Sequence, residues 1–399
     1  MGILLSILIS MAVSPAFGEA VRVLLEQDVK APQFYFLGPA EFSTGLQKVA
    51  IYESRYHVSA EFKNQHWILK IKTSYFQDQY KIRGEFLSIS SLSGIQWKDR
   101  NLDFKTHLVL REQQYHVLGE MDMNRYLQGV VPHEMPASWP LESLKAQAVA
   151  SRSYAYWKMR SKQQKQKLYD LKPSVMDQVF ELPRWGPGNG QRNSIAPNVV
   201  EALRTTDGEV LFEKPKAILK AYFHSDCGGS TTTAQEAWGE NSTAGTAVRD
   251  PYCENRESQW RAAWSKEKIQ SRLLQKLVLP PGSSLKEVIS RTAANSERVE
   301  AVDFLFTQGV FKRVRAEDLR QLLGYDKIKS TTFTIAKNNN EWTFSGRGFG
   351  HGVGMCQYGA RAMAQRGMGY RQILTHYYPK SALRGIESDS VLLSAIEPY

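Results

Sequence analysis

The chain has 399 residues, 42% of them hydrophobic and 23% charged, which is enough for one large domain or two domains with a sizeable core. Its formal net charge of +11 suits an anionic partner such as nucleic acid, a membrane surface or a cell-wall polymer. Nucleic acid is not favoured, because the sequence has neither zinc-finger spacing nor a phosphate-binding loop.

The N-terminus has the pattern of a secretory signal over residues 1–18. A short apolar run from Ile3 to Val13 precedes the small residues of Ala16-Phe17-Gly18, and the run is too short to span a bilayer. An uncleaved anchor or a buried strand is the alternative, because no Lys or Arg precedes the run. The signal predicts export to the periplasm or cell envelope, with no membrane span after cleavage.

Short alternating runs follow, from about Val21 to Gly119. Val, Ile, Tyr and Phe recur at every second position with polar breaks between the runs, which is typical of antiparallel strands. We therefore expect a β-rich N-terminal region over residues 19–106. The histidines of these runs fit surface or structural positions better than metal ligation.

The segment from Tyr126 to Trp157 has the strongest candidate for catalysis. A strand-like run ends at Val130 and Val131, a proline-flanked turn carries Glu134, and an alanine-rich helix is predicted from about Pro140. A carboxylate on such a turn can serve as a positioned acid or base. Taken locally, Glu134 is equally compatible with a solvated residue or a helix-cap partner.

The next stretch has several features of lesser weight. Lys158–Lys167 is a cationic helix end, and residues 183–194 form a Pro- and Gly-rich loop in which Trp185 offers a stacking surface. Helix- and strand-forming sequence over residues 254–336 is predicted to link this region to the last block.

That last block begins with alternating glycines from Gly346 to Gly354, which allow close backbone approach. Two helices are predicted after it, from about Gln357 and from Tyr370. A dinucleotide-binding loop is excluded, because neither a βαβ unit nor a downstream acidic residue accompanies the glycines.

Two of these stretches together resemble the SpoIID/LytB family, which includes stage II sporulation protein D and amidase enhancers. They are YLQGVVPHEMPASWPLESLKAQAVASRSYA and GHGVGMCQYGA, the first beginning at Tyr126 and the second at Gly350. The resemblance implies that Glu134 is the catalytic residue of a peptidoglycan lytic transglycosylase. It also implies a cleft formed where the glycine-rich loop packs against Glu134. Candidate substrate-binding residues in this cleft are Gln178, His224, His351 and Gln357. For Gln178 a structural hydrogen bond, and for His351 a structural role in the loop, are the alternatives.

Family members often carry a Cys–His–Cys cluster, zinc-binding in some, where this chain has Leu171, Met176 and Asp177. The resemblance therefore implies that this metal site is lost, and we expect no metal and no cofactor. Zinc on His224, Cys227 and Cys253 fits no standard spacing. In an exported protein Cys227 and Cys253 are the more plausible disulfide, with three reduced thiols including Cys356 as the alternative.

The expected architecture is an α+β fold, with a β-rich N-terminal lobe and a mixed α/β SpoIID-type core over residues 107–385 that holds a substrate cleft. The function implied by the resemblance is cleavage of glycan strands to 1,6-anhydro-muramoyl ends, in cell-wall remodelling or sporulation. The alternative is a non-catalytic amidase enhancer that binds glycan and stimulates a partner amidase. A purely structural envelope protein would leave the glycine-rich motif unexplained. Peptidoglycan is the expected partner, and nucleic acid is not.

Overall fold

A computed structural model describes residues 20–161, 168–174, 177–182, 195–213, 217–240, 245–253, 258–292 and 296–386. The predicted signal, the loop with Trp185 and most of the lysine-rich run after Lys158 lie outside these residues. Within them no helix is long and apolar enough to cross a bilayer. The chain divides into two compact units, one of residues 1–95 and 102–126, the other of residues 96–101 and 127–399.

The first unit consists of antiparallel strands, as the period-two pattern predicts. They are β1 (Val21–Val29), β2 (Gln33–Phe36), β3 (Ala40–Ser43), β4 (Lys48–Ile51), β5 (Tyr56–Lys63), β6 (His66–Lys72), β7 (Gln77–Arg83), β8 (Phe86–Ser90), β11 (Lys105–Arg111) and β12 (Gln114–Met121). The short strands β9 (Ile95–Trp97) and β10 (Arg100–Leu102) lie at the division between the units.

Two sheets share the core of the first unit. One has the order β1-β12-β11-β8-β3-β4, and the other contains β2, β5, β6 and β7 in that order. Trp67 of β6 is fully buried and its ring centroid lies 5.8 Å from that of Tyr115 on β12. The Tyr115 hydroxyl accepts a hydrogen bond from the Phe62 amide at 2.8 Å, so the buried polar group that joins the sheets is satisfied.

The second unit is mixed α/β. Its helices are α1 (Met123–Glu134), whose first turn belongs to the first unit, α2 (Leu141–Arg160), α3 (Pro197–Thr205), α4 (Ala234–Trp238), α5 (Lys266–Leu273), α6 (Ala316–Leu323), α7 (Gln357–Gln365) and α8 (Tyr370–Tyr377). Its strands are β13 (Glu209–Glu213), β14 (Ala217–Ile218), β15 (Phe223–His224), β16 (Trp260–Ser265), β17 (Leu285–Thr292), β18 (Val299–Phe306), β19 (Phe311–Arg315), β20 (Phe333–Asn338), β21 (Glu341–Gly346), β22 (Met355–Cys356) and β23 (Ser381–Gly385). The predicted α+β class is confirmed.

Two cores organise this second unit. In the first, α2 packs on α7 and α8 through small residues such as Ala146 and Ala150, which let helices approach closely. In the second, β16–β21 and α5–α6 surround Trp260, Phe304 and Phe344. Residues 254–336 were predicted as a linking region, but their described part, together with the strand that ends at Gly346, forms a packed layer with a core of its own.

The predicted domain boundary at residues 106–107 falls inside β11. Because β11 and β12 pair along their full length, they belong to one sheet, and the first compact unit extends to Tyr126.

Candidate functional site

Glu134 ends helix α1, and the prediction of a strand followed by a turn is wrong here. Tyr126, Leu127, Val130 and Val131 are all buried, with the i, i+1, i+4, i+5 spacing of one helix face. Pro132 lies in the last turn of the helix, where it lacks the N–H that would bond the carbonyl of Gln128. The two adjacent valines by themselves favour a strand. Together with Tyr126 and Leu127, one turn earlier, they form the apolar face of a helix.

Among the described residues, the Glu134 carboxyl group accepts one hydrogen bond, and the residue is half-buried. The Val179 amide donates to Glu134 Oε1 at 2.7 Å. Burial raises the pKa of Glu134 to about 7, against which the amide hydrogen bond acts. The C-terminal end of a helix also disfavours a carboxylate. This group can therefore give and take a proton near neutral pH.

The segment that supplies the Val179 amide is fixed to α2. Gln178 is 1% exposed and donates from Nε2 to the Ser151 carbonyl at 3.2 Å. Asp177 accepts from Lys158 at 2.7 Å and from the Tyr154 hydroxyl at 3.4 Å. Of the two roles left open for Gln178, the geometry matches the structural hydrogen bond, which positions the amide that binds Glu134.

Helix α2 forms as predicted. It begins at Leu141, one residue after the predicted start, because Pro140 is the N-cap and not the first helical residue. Trp139, just before it, contacts α7 through Tyr358 (ring centroids 5.1 Å apart) and Arg361 (5.0 Å). Gln357 is 6% exposed and donates to Gln147 Oε1 on α2 at 3.3 Å. Gln357 therefore joins α7 to α2 through this hydrogen bond, and its side chain does not point into an open cleft.

The glycine-rich loop needs its glycines for two reasons. Gly348, Gly350, Gly352 and Gly354 all have positive φ, which L side chains rarely adopt. A Cβ at Gly354 would lie 2.0 Å from the Tyr222 carbonyl oxygen, and one at Gly350 would lie 2.8 Å from the His224 Cβ. The loop thus packs directly against His224 of β15 and against Tyr222, which comes just before this strand.

His351 lies in a cluster of rings rather than beside the carboxyl group. Its ring is 5.0 Å from Trp238, 5.5 Å from His224 and 5.9 Å from Tyr222. Burial and the neighbouring His224 hold the pKa of His351 well below its usual range. Burial and Arg298 lower that of His224 to about 3, so both rings are neutral at pH 7.

Contacts through α2 link this ring cluster to Glu134. Tyr154 binds Asp177, two residues before the Val179 amide, and its ring lies 6.2 Å from Tyr222. Lys220 sits over the rings of Trp157 (4.3 Å) and Tyr222 (4.7 Å). Half-buried aromatic faces beside a polar group are typical of surfaces that bind sugars. Tyr154, Tyr222 and Trp238 were not predicted as site residues, because a sequence does not show which aromatic rings converge.

His224, the fourth predicted substrate-binding residue, is 4% exposed and bonds through Nδ1 to the Val353 carbonyl at 3.1 Å. It supports the glycine-rich loop from below. His351, half-buried, is the predicted residue of this loop that retains contact with solvent.

The three cysteines form one buried group. Cys227, Cys253 and Cys356 are all free, so the predicted Cys227–Cys253 disulfide is not formed. Cys356, assigned by sequence to a separate motif, lies with its sulfur 3.5 Å from that of Cys253. A strand pairing that sequence spacing does not reveal, His224 opposite Cys356, brings them together.

Comparisons with known proteins give one family model and several relatives with sporulation or amidase-enhancer names. A family model described as stage II sporulation protein matches residues 111–212, and one described as a domain of unknown function matches residues 251–354. The chain is 31% identical over 303 residues to the amidase enhancer of Bacillus subtilis strain 168, which covers 64% of this chain and 40% of that protein. It is 28% identical over 274 residues to stage II sporulation protein D of Bacillus amyloliquefaciens, covering 66% of this chain and 74% of that protein.

A protein of Brachyspira hyodysenteriae described as uncharacterised is 31% identical over 262 residues, with 66% of each chain covered. The chain thus spans less than half the length of the amidase enhancer.

Proposed function

Because this chain belongs to the SpoIID family, we propose that it acts on the cell wall outside the cytoplasm, cleaving peptidoglycan glycan strands as a lytic transglycosylase. The observation that carries the proposal is the Glu134 carboxyl group, half-buried, bound by one amide and with its pKa raised to about 7. General acid catalysis is most effective when the pKa of the acid is close to the working pH.

One carboxyl group is sufficient for this reaction. Protonated Glu134 donates its proton to the oxygen between N-acetylmuramic acid and N-acetylglucosamine, and the bond from that oxygen to the muramoyl C1 breaks. The resulting carboxylate takes the proton of the muramoyl 6-hydroxyl, whose oxygen bonds to C1. The product is a 1,6-anhydro end, Glu134 regains its proton, and no water is consumed.

The ring cluster supports a saccharide substrate. Trp238 and Tyr222, both partly exposed, offer apolar faces to sugar rings, and His351 adds a neutral imidazole beside them. Asp177, Lys158 and Lys220 supply polar groups along the contacts that lead toward Glu134.

The test is Glu134→Gln, with mass analysis of fragments released from purified glycan strands. We expect a loss of ~10²–10⁴-fold in anhydro-muramoyl products, the usual size of a general acid–base contribution, with glycan binding retained. Glu181→Gln is the matched control, because Glu181 is exposed and lies two residues from Val179; it should cleave at the wild-type rate.

Wild-type cleavage by the Glu134→Gln variant would contradict the catalytic role. The name of the Bacillus subtilis relative supports a second candidate, an amidase enhancer. That function would replace ours if the wild-type protein bound glycan, released no fragments and accelerated an added amidase.

A further inference from the structure

The buried thiols have a fourth partner that the sequence did not indicate. Cys227 follows β15, Asp250 and Cys253 share one turn, and Cys356 ends β22. The three sulfurs and one Asp250 carboxylate oxygen all lie within 4.8 Å of one another, and all four residues are buried. The ring nitrogens of His224 are outside this group.

We propose that Cys227, Cys253, Cys356 and Asp250 bind one zinc ion that has a structural role. Zn–S bonds of about 2.3 Å in a tetrahedron place the sulfurs about 3.8 Å apart. The Cys253 and Cys356 sulfurs are 3.5 Å apart, and the Cys227 sulfur is 3.2 Å from Asp250 Oδ2. These two separations are within a few tenths of an ångström of the tetrahedral values, and none of the others exceeds 4.8 Å, so shifts of at most about 1 Å admit the ion.

Hydrogen bonds around the four groups are those that orient ligands. The Cys227 and Gly359 amides point at the Cys356 sulfur (3.3 and 3.4 Å), and the Gly229 amide points at the Cys227 sulfur (3.4 Å). Cys356 is also the N-cap of α7, where a thiolate is stabilised. The Tyr377 hydroxyl donates to Asp250 Oδ2 at 2.7 Å, the outer contact expected of a metal-binding carboxylate.

Gly359 shows that this arrangement is closely fitted. A Cβ there would lie 1.9 Å from the Tyr377 hydroxyl and 2.4 Å from Asp250 Oδ2. Only glycine lets α7 start against the carboxylate and its tyrosine partner.

A buried positive charge lies where the zinc complex would need one. Three thiolates and one carboxylate on Zn²⁺ leave a negative complex, which is costly to bury alone. Arg298 is 4% exposed and donates to the Cys227 carbonyl at 2.6 Å, to the Ser230 carbonyl at 2.9 Å and to the Thr331 hydroxyl at 3.1 Å. These acceptors are neutral, so the guanidinium charge offsets one of the two negative charges of the complex.

Binding requires no oxidant. Each thiol loses its proton to solvent as its sulfur bonds to the ion, and zinc undergoes no redox change. The ion would fasten three chain segments at the base of the glycine-rich loop. This site lies away from the stretch around Leu171 and Asp177, where the sequence predicted that a family metal site is lost. A zinc ion at these four residues would contradict the expectation that the chain binds no metal.

The experiment is elemental analysis of the full chain purified from zinc-supplied medium. We expect about one zinc per chain, and, after exchange with Co²⁺, the intense visible and near-ultraviolet bands of a tetrahedral thiolate site. Cys356→Ser should lose the ion. Because that variant could misfold, Tyr377→Phe is the sharper test, with zinc affinity expected to fall 10–100-fold.

Tyr378→Phe is the matched control, since the Tyr378 hydroxyl donates to the Tyr222 carbonyl and not to the cluster; its zinc affinity should equal that of the wild type. A zinc content well below one ion per chain overturns the proposal. Thiol counting in denaturant then separates two cases, three free thiols or one. The second result would instead establish a disulfide. Neither outcome bears on cleavage by Glu134.

Discussion

Burial makes Glu134 hold its proton more tightly than an exposed carboxyl group does. Its carboxyl group has one amide partner, Val179, and its pKa is raised to about 7 by burial. An ionised carboxylate in such a place costs free energy, which the folded protein bears whenever the pH exceeds that pKa.

This cost has a definite direction with pH. An acid whose pKa is raised in the folded state destabilises the protein as pH rises from the unfolded value of 4.5 through 7. Glu134→Gln removes the ionisation, so it should be more stable than wild type at pH 8, by up to about 3 kcal/mol, and equally stable at pH 4. Urea unfolding at both pH values measures this.

Glu181→Gln, the exposed control, should show no such pH-dependent gain. An equal free-energy difference between Glu134→Gln and wild type at pH 4 and pH 8 would show that the carboxyl group titrates normally.

At the scale of single residues, the sequence indicated a functional role only for residues that lie in a motif. The motif singled out Glu134, whose catalytic role stays a prediction. Gln178 and Gln357 were assigned to a cleft because a sequence does not show burial. Both amides are almost fully buried and bond within the protein. Polar residues of a motif can be the supports of a site as readily as its lining.

At the scale of elements, α1 illustrates how tertiary contacts decide a local structure. The run around Val130 and Val131 has strand propensity, yet it is helical because one face of the helix is buried. Its close neighbour is the 178–181 segment, which crosses at Gly129, where the Gly129 carbonyl accepts from the Glu181 amide at 3.1 Å.

Gly129 therefore sets the distance between Glu134 and its amide partner. A Cβ there would lie 2.8 Å from the Glu181 carbonyl oxygen and 2.6 Å from the Phe180 ring. Gly129→Ala should lower both stability and glycan cleavage, although Gly→Ala within a helix normally gains about 1 kcal/mol. Denaturant midpoints and product yields measure the two effects.

Gln128→Ala, at the adjacent and partly exposed helix position, is the control and should not be destabilised. A Gly129→Ala protein more stable than wild type would show that the crossing is loose.

At the scale of the molecule, the strand pattern predicted the β-rich first unit and its α+β partner. The strand pattern did not predict where the two units divide. The predicted boundary at residues 106–107 falls inside β11, which pairs with β12 in the sheet of the first unit. The core of residues 258–346 was also missed, since its apolar residues converge only after strands distant in sequence pair.

The net charge of +11 gives a prediction for the whole chain. If the protein acts on the cell wall, attraction to anionic wall polymers should add to its binding and should be screened by salt, since the Debye length falls from about 10 Å at 0.1 M to about 3 Å at 1 M. Sedimentation with purified walls at low and high salt measures this. Walls stripped of anionic polymer should show little salt dependence, and equal dependence on both would contradict the argument.

Helix α2 is supported by strands that lie far from it in the sequence. Leu211 of β13 binds Ser153 of α2 through a 2.9 Å hydrogen bond, and β13 itself pairs with β23, Glu209 lying opposite Gly385. Contacts between residues so far apart in sequence are slow to form, because a long loop must close first. A chain made from its N-terminus has Glu134 in place early, but the helix beside it gains its full support only when the last strand arrives. A chain truncated before β23 would therefore carry Glu134 beside a helix that lacks part of its support, so the burial that raises the pKa of this carboxyl group depends on strands far from it in sequence.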